Sequence, residues 1–340
     1  MLVLMNCYTS VNKKLNHMAS SKHHNLLEIC NKPLKDFSTN KFLIAYSGGL
    51  DSSVLLHCFF TLSESLSIQI RSIHINHGLS DDADIHEEHC KKNSEKYGVK
   101  HISEKIIINS KSNIEEQCRI ERYKKIADHC KDDEIIITAH HQEDQIETFF
   151  LRLIRGSGVR GLSCMKSMTL SNGKKLFRPF LQTSKDEIND YQSNYDIDYI
   201  QDETNYESKY DRNFIRNNIL PSLKFRWPSL NKNILNNIRV QDIQSNFTMD
   251  NIEEMLPNFQ VDNKYQLSVQ KLNKQQYHTK VILIHEWVFL QTKIALNLKQ
   301  INEIVKILNT NNDSNPLFKF AGIEIKKKRD ILSLSDCIYD

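Results

Sequence analysis

The stretch FLIAYSGGLDSSVLLHCFF, residues 42–60, decides the fold. Its first five residues, Phe42 to Tyr46, form a short apolar run of strand composition that breaks at Ser47-Gly48-Gly49. From Asp51 to about Leu62 the apolar residues resume over the length of a helix. A strand, a glycine turn and a helix N-terminus in that order make an anion site. The glycines permit positive φ and close backbone approach, while the first turn of the helix offers unpartnered N–H groups and a favourable dipole. Ser47, Ser52 and Ser53 add hydroxyls, so the ligand that fits is a polyphosphate. Asp51 is the odd member, because a carboxylate repels phosphate unless a divalent cation stands between them. Its expected role is to hold Mg²⁺ against a leaving pyrophosphate, and an N-terminal helix cap is the alternative.

Working outward, strand-like and helix-like segments alternate. Strands are expected at 68–75, 101–108 and 134–139, and helices at about 82–97, 113–130 and 143–154. Such alternation builds an α/β domain with a doubly wound, mainly parallel sheet. Residues 1–36 are polar and weakly patterned and read as an N-terminal extension with room for one short helix. Past Pro221 the apolar residues fall at helical spacing with no strands between, which predicts a second, mostly helical domain over 224–340 closed by a hairpin near 317–335. The catalytic domain is then 37–223, and a chain of 340 residues has the length for two domains.

Composition narrows the class. The longest apolar runs fall far short of the roughly 18 residues that span a bilayer, and the apolar opening Met1 to Met5 is too short for a signal-peptide core. A cytoplasmic location is expected. With 45 Lys and Arg against 42 Asp and Glu, no global field announces a nucleic acid, so any RNA site must be a local patch. The eight cysteines include no CxxC pair, which leaves them as free thiols of a reducing compartment.

GxxxxGKS and GxGxxG are both absent, which removes Walker-type and ordinary dinucleotide sites. The second strand ends in HINHGL, residues 74–79, where backbone groups can read an adenine edge. After the fourth strand comes TAHHQEDQIET, which is Thr138-Ala139-His140-His141-Gln142-Glu143-Asp144-Gln145-Ile146-Glu147-Thr148. If the helix starts at Glu143, then Asp144, Glu147 and Thr148 share a face and His140 precedes it, so a histidine and a carboxylate can meet the phosphate loop. A solvated capping segment is the alternative reading. Glu115, Arg119 and Arg122 lie on adjoining turns of one helix, where an ordinary i, i+4 salt-bridged face explains them equally well. Arg152, Arg155 and Arg160 surround a flexible Gly-Ser-Gly turn that suits backbone phosphates or a flipped base, and Arg178 adds to the same wall. Asp202, Asn205, Arg212, Asn213 and Arg216 form a further polar constellation, and Lys326 to Arg329 a basic run. Trp227 and Trp287 are assigned to packing in the helical domain.

SGGLDS resembles the pyrophosphate loop of the N-type ATP pyrophosphatases, whose fold is adenine nucleotide alpha hydrolase-like. With HINHGL, SNIEEQCRIERY, TAHHQEDQIET, LRLIRGSGVRGL, RPFL and DETNYESKYDRNFIRNNILP in this order, residues 40–223 resemble the tRNA(Ile)-lysidine synthetase family. The resemblance implies a ligase that uses ATP and Mg²⁺ to join free L-lysine to C2 of the wobble cytidine of isoleucine tRNA with a CAU anticodon. It implies Ser47, Gly48, Gly49, Leu50, Asp51 and Ser52 as the ATP site, Asp51, His140 and Asp144 as the catalytic set, and Asp51 and Asp144 as the metal ligands. It implies Glu115, Arg119, Arg122, Arg152, Arg155, Arg178 and Arg212 as contacts to tRNA or lysine. The family usually has Asp where Glu143 stands, which leaves the role of that carboxylate open. The oligomeric state is open too, a homodimer included. Two competing readings are a sulfur-transferring relative such as a 2-thiocytidine synthetase, for which paired cysteines are expected, and a nucleotide sensor without catalysis.

Overall fold

The computed structural model describes residues 25–78, 82–106, 114–201, 210–311 and 315–336. These residues fall into two compact units, one within Met1–Leu151 and Met165–Leu235, the other within Arg152–Cys164 and Asn236–Asp340. This division differs from the expected one at two places. Residue 223 lies inside the short helix Leu220–Arg226, and the segment Arg152–Cys164 sides with the C-terminal unit.

The first unit opens with α1 (Asn25–Asn31), followed by β1 (Lys41–Ala45), α2 (Leu50–Ser65), β2 (Gln69–Asn76), α3 (Ala83–Lys96), β3 (Lys100–Lys105), α4 (Ile114–His129), β4 (Glu134–Ile137) and α5 (Gln142–Ile154). A hairpin of β5 (Met168–Ser171) and β6 (Lys174–Phe177) and then α6 (Lys185–Tyr195) follow. The sheet runs β3-β2-β1-β4-β6-β5, parallel except for the edge strand β5, which is antiparallel to β6.

Side-chain alternation shows why this sheet needs cover on both faces. Phe42 and Ile44 of β1 and Ile135 and Ile137 of β4 bury into one core with Val54, Leu55, Phe59, Ile188 and Tyr191. Leu43 and Ile136, the residues between them, bury into a second core with Ile126, Ala127 and Cys130. The N-terminal extension was expected to be weakly determined, yet from Asn25 onward it belongs to the first core: Leu26 and Cys30 of α1 are buried there. The β5–β6 hairpin was not anticipated. It turns at Asn172 and Gly173, with φ of +47° and +77°, a backbone that Asn-Gly adopts readily.

Strand order positions the site. The chain builds outward from β1 to β3 and then returns to the other side of β1 as β4, so the switch point lies between β1 and β4. Ligands of open α/β sheets bind at the carboxyl ends of strands at such a point. Residues 47–49 leave β1 there, and residues 138–141 leave β4 beside them.

The second unit contains most of α7 (Leu230–Met255), then α8 (Tyr277–Thr292) and α9 (Leu298–Leu308). It is not helical alone. The expected hairpin is the centre of a four-stranded antiparallel sheet of β7 (Gln266–Ser268), β8 (Leu317–Phe320), β9 (Ile323–Lys328) and β10 (Ile331–Asp336), in the order β7-β10-β9-β8. Trp287 is fully buried in its core, and the indole Nε1 donates to Lys264 O at 2.9 Å. Trp227, expected to pack, is 54% exposed instead. The basic run is also not one patch, because strand alternation buries Lys327 and leaves Lys326 and Lys328 outside. Lys327 Nζ donates 3.1 Å to Leu308 O at the end of α9, and to Thr310 O, where carbonyls lack helical partners. Among the described residues no helix is long and apolar enough to cross a membrane.

Candidate active site

The loop after β1 is held open by its own hydroxyls. Ser52 Oγ donates to Gly49 O at 3.0 Å, accepts the Ser47 N–H at 3.2 Å and shares a 3.0 Å hydrogen bond with Ser47 Oγ. Ser53 Oγ donates to Gly48 O at 3.3 Å. Gly48 has φ +83°, and a Cβ there would stand 3.0 Å from Cys90 Sγ, so both the conformation and the space call for glycine. Gly49 caps α2 in extended backbone with φ −72°, so the first N–H groups of α2 have no side-chain cap. Such a turn accepts anions.

Asp51, on the first turn of α2, keeps 30% of its side chain exposed. Lys185 Nζ at the start of α6 lies 2.5 Å from Asp51 Oδ1, and His141 Nε2 lies 3.5 Å from Oδ2. A capping box between Ser184 and Glu187 fixes the start of α6 and therefore the point from which Lys185 reaches. Burial would raise the Asp51 carboxyl, but the hydrogen bond and charge of His141 and the charge of Lys185 bring it below its ordinary value.

The expected histidine was His140; the one that meets the loop is His141. Neighbouring residues leaving a strand point to opposite sides, and only one of the two can face Asp51. His141 is 6% exposed. Its Nδ1 donates to Glu143 Oε2 at 3.1 Å, and its Nε2 lies 3.6 Å from Asp144 Oδ2 as well as near Asp51. Burial alone would lower its pKa, but the charge of Asp144 and the hydrogen bonds of Asp51 and Glu143 raise it to about 10. Glu143 also accepts the Lys185 N–H at 3.1 Å, so the carboxylate that departs from the family pattern ties the imidazole to the start of α6. His140 sits apart, its Nδ1 2.9 Å from Thr138 Oγ1 and its Nε2 3.5 Å from Tyr123 Oη. Burial pushes it down to about 3, with Asp144 opposing and Arg178, Arg212 and Arg122 assisting. At that value the His140 imidazole is neutral at ordinary pH.

Asp144 is enclosed. Its Oδ2 accepts the His141 N–H at 2.9 Å and its Oδ1 accepts Arg212 Nη2 at 2.7 Å. Burial opposes ionisation, but His141 and Arg212 hold the carboxyl far below the usual range. One turn on, Glu147 is 1% exposed and takes Arg212 Nε at 2.6 Å, Arg216 Nε at 2.6 Å and Arg216 Nη2 at 3.0 Å. These bonds bind the helical stretch 211–226, including its π turn Ile215–Ile219, to α5.

Two carboxylates of the kind that hold a divalent cation meet at His141. Asp51 and Asp144 each aim an oxygen at His141 Nε2, from 3.5 and 3.6 Å, so two hard donors converge. A Mg²⁺ that takes its other ligands from phosphate and water suits such a pair. Among the described residues no three His, Cys, Asp or Glu groups form a site of their own.

The remaining expected contacts divide. Arg122 is half-buried on α4, where desolvation lowers its pKa, and its charge acts on His140 and His77. Arg119 is exposed, with its guanidinium 5.6 Å from the Tyr123 ring centre. Arg178 is not a surface contact: it is 8% exposed, and its Nη1 donates to Lys166 O at 2.9 Å and Thr169 Oγ1 at 3.1 Å, bracing the β5–β6 hairpin. Arg152 and Arg155 belong to the other unit. The Glu115 side chain, Asp202, Asn205 and Leu79 lie outside the described residues. The sequence reading missed His141, Lys185 and Glu147 as site residues. The adjacent histidines and the carboxylate spacing signalled two of them, while nothing local pointed from Lys185 to Asp51, 134 positions away.

Residues 18–223 match the family model of the PP-loop domain. Among curated proteins, the chain is 32% identical over 318 residues to a tRNA(Ile)-lysidine synthase of Haemophilus influenzae (strain 86-028NP), covering 91% of this chain and 73% of that one. It is 36% identical over 303 residues to the one of Buchnera aphidicola subsp. Schizaphis graminum (strain Sg), covering 88% and 68%. With that of Histophilus somni (strain 2336) it shares 39% identity over 207 residues, 60% of this chain and 48% of that protein, so this match spans about half of the relative's length. Among solved structures, the U34-tRNA thiolase NcsA from Methanococcus maripaludis with its [4Fe-4S] cluster superposes with a TM-score of 0.53 at 18% identity, over 64% of this chain and 78% of that one, a likeness of fold.

Proposed function

The chain belongs to the tRNA(Ile)-lysidine synthase family of PP-loop proteins, and on that premise we infer that it ligates L-lysine to C2 of the wobble cytidine of isoleucine tRNA carrying a CAU anticodon, at the expense of ATP. The observation that carries this reading is the meeting of the phosphate loop and the HHQED segment at one point, through Asp51 and His141.

In the first step the cytidine O2 attacks the α-phosphate of ATP, forming an O–P bond as the bond to pyrophosphate breaks. The loop N–H groups with Ser47 and Ser52 receive the β- and γ-phosphates, and Lys185 and the His141 imidazolium stand beside the developing charge. Asp51 and Asp144 would hold Mg²⁺, which supplies neutralisation of charge on the leaving pyrophosphate. In the second step the lysine ε-amine attacks C2, and the C2–O bond breaks as AMP leaves. The amine, with an ordinary pKa of about 10.4, attacks in its neutral form after giving its proton to solvent. Isoleucine tRNA, free lysine and ATP are therefore the substrates, and reading passes from AUG to AUA.

A sulfur-transferring reaction has less behind it. The described cysteines Cys30, Cys58, Cys90, Cys118, Cys130 and Cys164 are all buried, and burial raises the thiols of Cys30, Cys90 and Cys130 above their ordinary values. The test is pyrophosphate release. It is expected only when ATP and the isoleucine tRNA are both present, and it is expected to disappear in Asp51→Ala. Release that ignores the tRNA, or survives the substitution, contradicts the reading.

A further inference from the structure

The segment Arg152–Cys164 packs within the C-terminal unit, and two arginines set its shape. Arg152 Nη1 donates to Gly161 O at 2.6 Å, and Ser163 Oγ donates to Arg160 O at 2.7 Å, closing the turn on itself. The Arg160 side chain leaves the turn and docks on α8. Its Nη2 donates to Glu286 Oε2 at 2.5 Å, and its guanidinium lies 4.0 Å from the centre of the Phe289 ring. The other Glu286 oxygen meets His285 Nδ1 at 3.0 Å. Arg160 and Glu286 retain only 24% and 8% of their side-chain exposure. A pair so far out of water, with its cation against an aromatic face, has one geometry, unlike the loose ion pairs of a surface.

The residues between the two arginines show the opposite character. Leu153, Ile154 and Val159 are 49%, 73% and 42% exposed, Arg155 is exposed, and Gly156 holds φ +72°. Anchored ends and an outward apolar, cationic tip suit a single-stranded nucleic acid, whose unstacked bases offer apolar faces beside their phosphates.

We propose that Glu286 and Arg160 are positioning residues that hold the 153–159 turn in the shape that engages the single-stranded part of the RNA substrate, with Arg155 meeting a phosphate. The proposal deepens the proposed function and rests on it. It also reassigns Arg160, which the sequence placed on the RNA and the structure places on Glu286.

Glu286→Gln keeps the volume and leaves Arg160 without its anion. In steady-state lysine incorporation, its KM for the isoleucine tRNA rises on the order of 10-fold, while its KM for ATP stays within about 2-fold of the wild type. Arg155→Ala raises the same KM and makes it less salt-dependent, its log–log slope falling by about 0.7 for one lost contact to a single strand. The double variant Arg160→Gln/Glu286→Gln, an amide pair in place of the ion pair, brings the KM back toward wild type, because no buried charge is left alone. A merely structural pair predicts a lowered melting temperature with an unmoved tRNA KM, and that result overturns the proposal. If the wild type incorporates no lysine, the functional reading fails and the turn is then judged on the Kd of the same tRNA by fluorescence anisotropy. A weaker Kd in Glu286→Gln supports the proposal and an unchanged one overturns it.

Discussion

Replacing Glu147 with glutamine removes the charge that holds the helical stretch 211–226 against α5. Glu147 is 1% exposed and takes three charge-assisted hydrogen bonds, at 2.6, 2.6 and 3.0 Å, from Arg212 and Arg216. Breaking a buried pair by removing one partner costs roughly 3–5 kcal/mol, because the other charge is left uncompensated. Three features place this site at the lower end. Arg212 keeps Asp144 at 2.7 Å, the Arg216 side chain is 36% exposed and can turn to water, and the glutamine oxygen still accepts one bond. A loss of about 3 kcal/mol is about a 10²-fold change in the local opening equilibrium. Amide hydrogen exchange reads that equilibrium segment by segment, which avoids treating two units as one transition. In Glu147→Gln, amides of 211–226 are expected to exchange about 10²-fold faster while those of β1 and β4 keep their rates. Adding Arg216→Gln recovers part of the loss, with a coupling of about 1 kcal/mol or more. Exchange within about 3-fold of wild type over 211–226 would refute the claim that Glu147 orders this stretch.

Three further outcomes follow from other parts of the fold. Gly48→Ala, with φ +83° and Cys90 Sγ 3.0 Å from the new Cβ, loses ATP affinity by about 10-fold or more, whereas Gly49→Ala, whose nearest neighbour is Ser47 Oγ at 3.6 Å, keeps most of it; equal losses by calorimetry contradict the geometry. Burial, with some help from Lys96, pushes His57 down to about 4 from an unfolded value near 6.5, so its folded form is neutral and contributes about 3 kcal/mol that is fully present above pH 6.5 and lost as pH falls toward 4. His57→Gln flattens that part of the stability profile, and an unchanged slope between pH 4 and 6.5 removes the assignment. Lys327→Ala, which takes the ammonium donor from the carbonyls of Leu308 and Thr310 and leaves Leu308 O only the 3.3 Å bond from Asn273 Nδ2, destabilises the C-terminal unit by about 1–3 kcal/mol, while Lys326→Ala stays within about 0.5 kcal/mol of wild type in a denaturant titration.

What the sequence made legible was local. FLIAYSGGLDSS carries a strand, a turn and a helix start within twelve residues, and the structure begins β1 at Lys41 and α2 at Leu50. The β4 run EIII is too short and too apolar for a surface helix, and its neighbours in space bury it on both faces. Choosing His141 over His140 was not local, since two adjacent imidazoles differ only in which side of the strand end they leave. The arginine partners of Asp144 and Glu147 come from 65 to 69 positions away, and the lysine partner of Asp51 from 134, so spacing along the chain holds no trace of them. Two misses were readable. Leu170-Ser-Asn-Gly-Lys174 is an Asn-Gly hairpin signal, and a run of basic residues on a strand must alternate, which sends Lys327 inward while Lys326 and Lys328 stay out.

The most direct test of the central claim is incorporation of labelled lysine into isoleucine tRNA with a CAU anticodon, with ATP and Mg²⁺, comparing the wild type with Asp51→Asn, His141→Gln and His140→Gln and using methionine tRNA as the control. The account predicts incorporation confined to the isoleucine tRNA, abolished in Asp51→Asn, and reduced far more by His141→Gln than by His140→Gln. Incorporation that survives Asp51→Asn, or that depends on His140 and ignores His141, would contradict the assignment of one site to the phosphate loop and the HHQED segment.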